Sequence, residues 1–89
     1  MRKVDVSKRA GDFLKTRQKK QAKQISQKIL SLGQNPMPSD SVKLTGSNFY
    51  RVDSGEFRII YDFTDSIVRV VLVGKRNDSE VYRQFKNLN

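Results

Sequence analysis

The chain has eighty-nine residues with neither cysteine nor histidine, which excludes disulfides, thiolate nucleophiles and zinc–thiolate sites and leaves acid–base chemistry to Lys, Arg, Tyr, Asp and Glu. At this length one small domain is expected over residues 1–89, with a modest core. Eighteen Lys and Arg against nine Asp and Glu give a formal charge of +9, so a polyanionic partner is expected, nucleic acid first and an acidic protein second.

The basic excess is unevenly placed. Residues 1–35 hold ten Lys and Arg but only Asp5 and Asp12, and no acid occurs between Asp12 and Asp40. A solvated helix face tuned for solubility is the plainer explanation of the same pattern. Met1-Arg2-Lys3 leads straight into mixed polar sequence, without an apolar run suited to a secretory signal or a membrane span. The expected location is the cytoplasm, and neither a metal nor a cofactor is expected.

Val4 and Val6 alternate with Lys3 and Asp5, a short strand pattern. Ser7 is placed to cap a helix whose apolar stripe is Ala10, Phe13 and Leu14. After a break near Thr16, Ala22, Ile25, Ile29 and Leu32 recur on one face of a second helix, giving a helical hairpin. Gly33 suits a left-handed residue after its last turn. Residues 34–41, with Pro36 and Pro38, read as a connecting loop.

Three strands follow. A two-residue turn at Ser54-Gly55 sets Val52 opposite Phe57, Arg51 opposite Arg58 and Tyr50 opposite Ile59. A second turn at Asp65-Ser66 sets Phe63 opposite Val68, Asp62 opposite Arg69 and Arg58 opposite Val73. One face then collects Val52, Phe57, Ile59, Tyr61, Phe63, Val68, Val70 and Leu72. The other collects Arg51, Arg58, Ile60, Asp62, Arg69 and Val71. The expected fold is α+β, a small antiparallel sheet in β-α-α-β-β-β-α order with the helical hairpin packed on one face.

Directly opposed arginines destabilise a strand pair unless an anion sits between them, and guanidinium forks grip phosphate in bidentate fashion. Arg51 and Arg58 therefore suggest a phosphate-binding sheet face. Alternatively, Asp53 and Glu56 flank the turn and neutralise both arginines. Tyr82 beyond the last strand is either a lid on the core or part of the same surface.

The succession Leu44, Tyr50-Arg51, Gly55-Glu56-Phe57-Arg58-Ile59-Ile60-Tyr61, Val73-Gly74-Lys75-Arg76 and Val81-Tyr82-Arg83 resembles the RelE/ParE superfamily of bacterial toxins. Val73-Gly74-Lys75-Arg76 followed by Ser79-Glu80-Val81-Tyr82 is most similar to the RelE branch. RelE-type toxins enter the ribosomal A site and cut mRNA without a metal, the 2′-hydroxyl attacking the adjacent phosphate to leave a 2′,3′-cyclic phosphate. The resemblance implies that Arg58 contacts the scissile phosphate and that Arg76 stabilises charge near the leaving oxygen. It further implies that Tyr82 orients or activates the 2′-hydroxyl, or stacks on a base, and that Arg51 is a basic residue of the active site.

Lys19, Lys20, Lys23, Lys43, Lys75 and Arg83 are the residues expected to bind RNA. The implied partners are the ribosome, mRNA and a cognate antitoxin acidic toward its carboxyl end. Asp53 departs from the pattern, standing where RelE-type members carry a second basic residue. Two alternatives stay open: the ParE branch, which poisons DNA gyrase and cuts no RNA, and an RNA-binding module without chemistry.

Overall fold

The structure is a computed structural model and describes residues 1–77 and 80–87; Ser79, part of the RelE-like motif, lies outside them. In chain order the elements are β1 (Lys3–Val6), α1 (Lys8–Lys15), α2 (Lys19–Gln34), β2 (Val42–Lys43), β3 (Tyr50–Ser54), β4 (Phe57–Phe63), β5 (Ile67–Lys75) and α3 (Glu80–Asn87). The expected order holds, with one two-residue strand, β2, added on the sheet edge. Among the described residues the strands form a five-stranded sheet ordered β1-β5-β4-β3-β2, antiparallel except where β1 runs parallel to β5.

The helical hairpin forms where the apolar spacing placed it. Ser7 Oγ accepts from the Ala10 N–H at 3.1 Å, capping α1, and donates to the Val71 carbonyl at 2.8 Å, tying the cap to the sheet. Thr16 ends α1 with its N–H on the Phe13 carbonyl. Ala10, Ile25, Ile29 and Leu32 then bury against Val52, Phe57, Ile59, Tyr61, Val68, Val70 and Val73. The valine, leucine, isoleucine and phenylalanine side chains among them each contribute about 1.5–3 kcal/mol when fully buried.

Gly33 has a different role from the expected one. It lies within α2, which runs on to Gln34, and it is buried. A Cβ there would stand 3.0 Å from the Arg2 carbonyl oxygen and 3.0 Å from Val4 Cγ2, while the Arg2 N–H donates to the Gly33 carbonyl at 2.9 Å. The glycine lets the chain entering β1 cross the helix at close range.

The lower hairpin has the expected register, with Phe63 opposite Val68 and Asp62 opposite Arg69. The upper one does not. Its two central residues are Gly55 and Glu56, so Ser54 faces Phe57, Asp53 faces Arg58 and Arg51 faces Ile60. Gly55, at φ +59°, occupies the first central position, which a type II′ turn reserves for glycine. The opposed Arg51–Arg58 pair is therefore not formed. The pairing moves by two positions, so both arginines keep their face of the sheet.

Between β4 and β5 the register shifts at Ile60/Tyr61: Ile60 faces Leu72 while Tyr61 faces Val70, leaving Val71 as a bulge. The extra residue reverses the alternation beyond it. Leu72, expected under the helical hairpin, turns to the other face, Val73 takes its place, and Arg58 faces Gly74 rather than Val73. That other face was expected to be open, yet α3 covers part of it. Ile60, Leu72 and Val81 are buried there, with Leu44, Phe49, Val71, Tyr82 and Phe85 packed around them. Phe49 and Phe85 meet edge-on with ring centroids 5.1 Å apart. Gly74 allows this docking, since a Cβ on it would lie 3.0 Å from Val81 Cβ.

Candidate functional site

Arg58 lies on the α3-covered face, at the end of the sheet beyond Ile60 and Leu72. It stands next to the upper turn on β4, directly across from Asp53 on β3. Its Nε donates to Asp53 Oδ1 at 2.8 Å and its Nη2 to Oδ2 at 3.3 Å, a two-pronged ion pair. Its Nη1 donates to the Tyr82 hydroxyl at 2.5 Å, with the guanidinium carbon 5.7 Å from the Tyr82 ring centroid. Only 15% of the Arg58 side chain and 33% of the Asp53 side chain remain exposed. The pair is thus partly desolvated, where charged hydrogen bonds are stronger than at an open surface.

The hydrogen bond from Arg58 holds the Asp53 carboxyl below the usual carboxylate range. Burial opposes this, while the charges of Arg58, Arg51 and Arg76 reinforce it. Asp53 raises the Arg58 guanidinium in turn. Three arginines from β3, β4 and the turn after β5 therefore act on one carboxylate, so the cluster keeps a positive excess. The Arg76 backbone N–H donates to the Glu56 carbonyl at 2.9 Å, pinning the turn after β5 to the β3–β4 turn. Such a surface attracts phosphate. Its one carboxylate is ionised at neutral pH, and its phenol accepts from a cation.

Four residues expected at an active site thus share one neighbourhood. Arg58 and Tyr82 are in contact, while Arg51 and Arg76 act on Asp53 electrostatically. Tyr82 packs against the smaller core and also accepts from Arg58, so it is both a lid on that core and part of the Arg58 surface. The residues expected to bind RNA are dispersed. Lys19, Lys20 and Lys23 are exposed on α2, which packs on the opposite face of the sheet. Lys43 is exposed on the edge strand β2, Lys75 at the end of β5 and Arg83 on α3. Arg69 pairs with Asp62, as expected for that strand position, through Nε at 2.9 Å.

Sequence reasoning did not place Asp53 across from Arg58. Gly55 carried the missing signal, because glycine at the first central turn position sets the register that pairs them.

The sequence profile of the ParE toxin of type II toxin–antitoxin systems matches residues 6–80. Among curated proteins no sequence match reaches significance. Solved structures are more informative. The chain is similar to the isolated Escherichia coli RelE toxin, with 25% identity, TM-score 0.73, and all of both chains covered. An arginine-substituted mutant of E. coli RelE in the free state aligns at TM-score 0.78 with 25% identity, over 99% of this chain and 98% of that one. RelE in the archaeal RelE–RelB complex from Pyrococcus horikoshii has the same fold at 23% identity and TM-score 0.73, over 84% of this chain and 94% of that one. The profile spans the helical hairpin, all the strands from β2 to β5 and the three arginines of the cluster, and the chain is accordingly a toxin of the ParE family of type II toxin–antitoxin systems, in the RelE/ParE superfamily and close to RelE in structure.

Proposed function

We propose that this toxin is a ribosome-dependent, metal-independent mRNA endoribonuclease of the cytoplasm, restrained by a cognate antitoxin. The observation that carries the reading is the hydrogen-bonded Arg58–Tyr82 pair, with Arg51 and Arg76 acting on the same small area. In this reading the RNA phosphate enters the field of the three guanidiniums. The 2′-hydroxyl, oriented by Tyr82, gives its proton to water and attacks the adjacent phosphorus, and the 5′-oxygen takes a proton from water as it leaves. The bond from phosphorus to the 5′-oxygen breaks, leaving a 2′,3′-cyclic phosphate and a 5′-hydroxyl. Arg58 stabilises the charge on the non-bridging oxygens, and Arg76 that on the departing 5′-oxygen. Preorganised donors of this kind each contribute about a hundredfold or more in rate.

Lys19, Lys20, Lys23, Lys43, Lys75 and Arg83 supply the wider electrostatic contact with ribosomal RNA and message. Their contribution fades with salt through counterion release. The antitoxin reading is supported by the family and by similarity to RelE in complexes with RelB. A +9 surface favours an acidic partner.

The test is primer extension on mRNA from a cell-free translation reaction with the wild-type protein, with Arg76→Ala, and without ribosomes. In-frame 3′ ends that need both ribosomes and Arg76 support the nuclease. Intact mRNA rejects it. Two observations favour a second reading, DNA gyrase inhibition: the Arg58 fork is already filled by Asp53, which weakens its grip on phosphate, and the matching profile is that of ParE. A gyrase supercoiling assay separates the two.

A further inference from the structure

A second recess lies on the far side of the same turn. A cleft of about 320 Å³ opens where the α1–α2 connection meets the β3–β4 turn and the end of β5, lined by Arg17, Gln21, Glu56, Phe57, Lys75 and Asn77. That volume lies in the range of small-ligand sites. Two cations and a carboxylate line it, yet among the described residues none of Arg17, Glu56 and Lys75 forms an ion pair. The Gln21, Glu56, Lys75 and Asn77 side chains make no hydrogen bond among the described residues either. Arg17 reaches only Thr16 Oγ1, at 3.2 Å. Its guanidinium lies over Phe13 at 4.6 Å from the ring centroid and 5.9 Å from that of Phe57. The contrast with Arg58 is chemical: that guanidinium is held by Asp53 and Tyr82, whereas the cleft presents a flat cation and four polar side chains that have no protein partner among the described residues.

We infer that this cleft receives one nucleotide of single-stranded RNA, the residue flanking the phosphate at Arg58. Its place in the reaction rests on the nuclease reading; its capacity to bind a nucleotide does not. The Arg17 plane, stacked on one side by Phe13, is a platform for a base. Lys75 meets the backbone phosphate as a point charge. Glu56 accepts from an exocyclic amino group, and the Gln21 and Asn77 amides both donate and accept along a base edge. Cytosine, adenine and guanine carry that amino group and uracil does not, so the cleft disfavours uridine.

Connectivity ties the two sites together. Phe57 and Arg58 are strand neighbours pointing to opposite faces, and Arg76 stands between Lys75 and Asn77. The Arg76 N–H bond to Glu56, at 2.9 Å, joins the two segments. An RNA strand crossing this end of the sheet thus places a phosphate on one side and a base on the other.

The test is titration of the isotope-labelled protein with CMP, AMP, GMP and UMP, followed by NMR. The side-chain amides of Gln21 and Asn77 are expected to shift, with UMP weaker by about fivefold or more, the discrimination of one good base contact. Glu56→Gln is expected to narrow that gap and Arg17→Met to weaken all four nucleotides. Equal binding of UMP with no response to Glu56→Gln overturns the inference, as do shifts centred on Tyr82 with none at Gln21 and Asn77. Primer extension separates this failure from that of the nuclease. If the wild type does not cut, the nuclease reading falls and the titration still decides the cleft. If it cuts and Glu56→Gln leaves the pattern of cut codons unchanged, the cleft assignment falls alone.

Discussion

Replacing Asp53 with asparagine tests the electrostatic account of the site directly. A phosphodiester on the Arg58 fork would lie about 5 Å from the Asp53 carboxylate. Two unit negative charges at that separation repel by about 1 kcal/mol in water and about 3 kcal/mol at an effective dielectric of about 20. With 15% and 33% of the two side chains exposed, the surroundings fall between these limits. Asp53→Asn is therefore expected to raise phosphate affinity about tenfold. Loss of the charged hydrogen bonds at 2.8 and 3.3 Å is expected to lower global stability by about 1–2 kcal/mol. The assays are anisotropy of a fluorescent 2′-O-methyl RNA, which resists cleavage, the initial rate of mRNA cutting in cell-free translation, and the urea midpoint. Tighter binding and faster cutting at a lower midpoint fit the reasoning. Cutting abolished at an unchanged midpoint would refute it and make the carboxylate part of the chemistry.

The same ion pair sets an acid limb of stability. Asp53 titrates below its unfolded value, so its contribution is complete above about pH 4 and disappears as pH falls through the lowered folded value; urea midpoints from pH 6 to 2.5 should show a decline that is shallower in Asp53→Asn. At the alkaline end, burial pushes Tyr61 up to about 12, which favours the neutral phenol in the fold. That stabilisation is present below about pH 10 and is lost as pH rises through about 12, so Tyr61→Phe should flatten the alkaline limb even though it forfeits the 2.6 Å bond to the Pro36 carbonyl. Gly74→Ala forces a Cβ to 3.0 Å from Val81 Cβ and should cost about 1–3 kcal/mol of overpacking. Hydrogen exchange should quicken in α3 before the rest of the sheet, and unchanged α3 protection would contradict the docking account. For Gly33→Ala, helix propensity favours alanine by about 1 kcal/mol, but the 3.0 Å contact with the Arg2 carbonyl should outweigh it and lower the thermal midpoint. A raised midpoint would mean that the chain before β1 yields.

The helices were legible because their apolar residues recur at helical spacing and Ser7 and Thr16 mark their ends. The lower hairpin was legible because Asp62 and Arg69 fit one register and Asp65-Ser66 fits a two-residue turn. The upper hairpin misled through one residue. Placing Gly55 second rather than first in the turn opposed two arginines that the fold staggers by two positions and set Asp53 across from Glu56, although the alternative in which Asp53 neutralises an arginine named the partner that Arg58 has. The Val71 bulge had no local signal, because Val70-Val71-Leu72-Val73 is apolar on both phases of the alternation. The burial of Ile60 had one, in Val81, Tyr82 and Phe85, whose spacing gives α3 an apolar face needing a counterpart. Convergence of Arg58, Arg76 and Tyr82 came from the family pattern. No spacing rule brings Arg58 together with residues eighteen and twenty-four positions further along the chain.

The bulge divides β5 into two half-strands of opposite phase, one matched to the helical hairpin through Val68 and Val70, the other delivering Leu72 and Gly74 to α3. The bulge is consequently a length buffer: β5 carries one residue more than β4 can pair. If Val71 were drawn into a regular ladder, leucine would meet the hairpin core, valine would meet α3 where glycine is needed, and Arg76 would leave its arginine neighbours. Deleting Val71 instead leaves Val70 and Leu72 adjacent, opposite Tyr61 and Ile60, with every later side chain on its present face. Tolerance of a single-codon deletion at this one position is a property that a substitution scan would pass over.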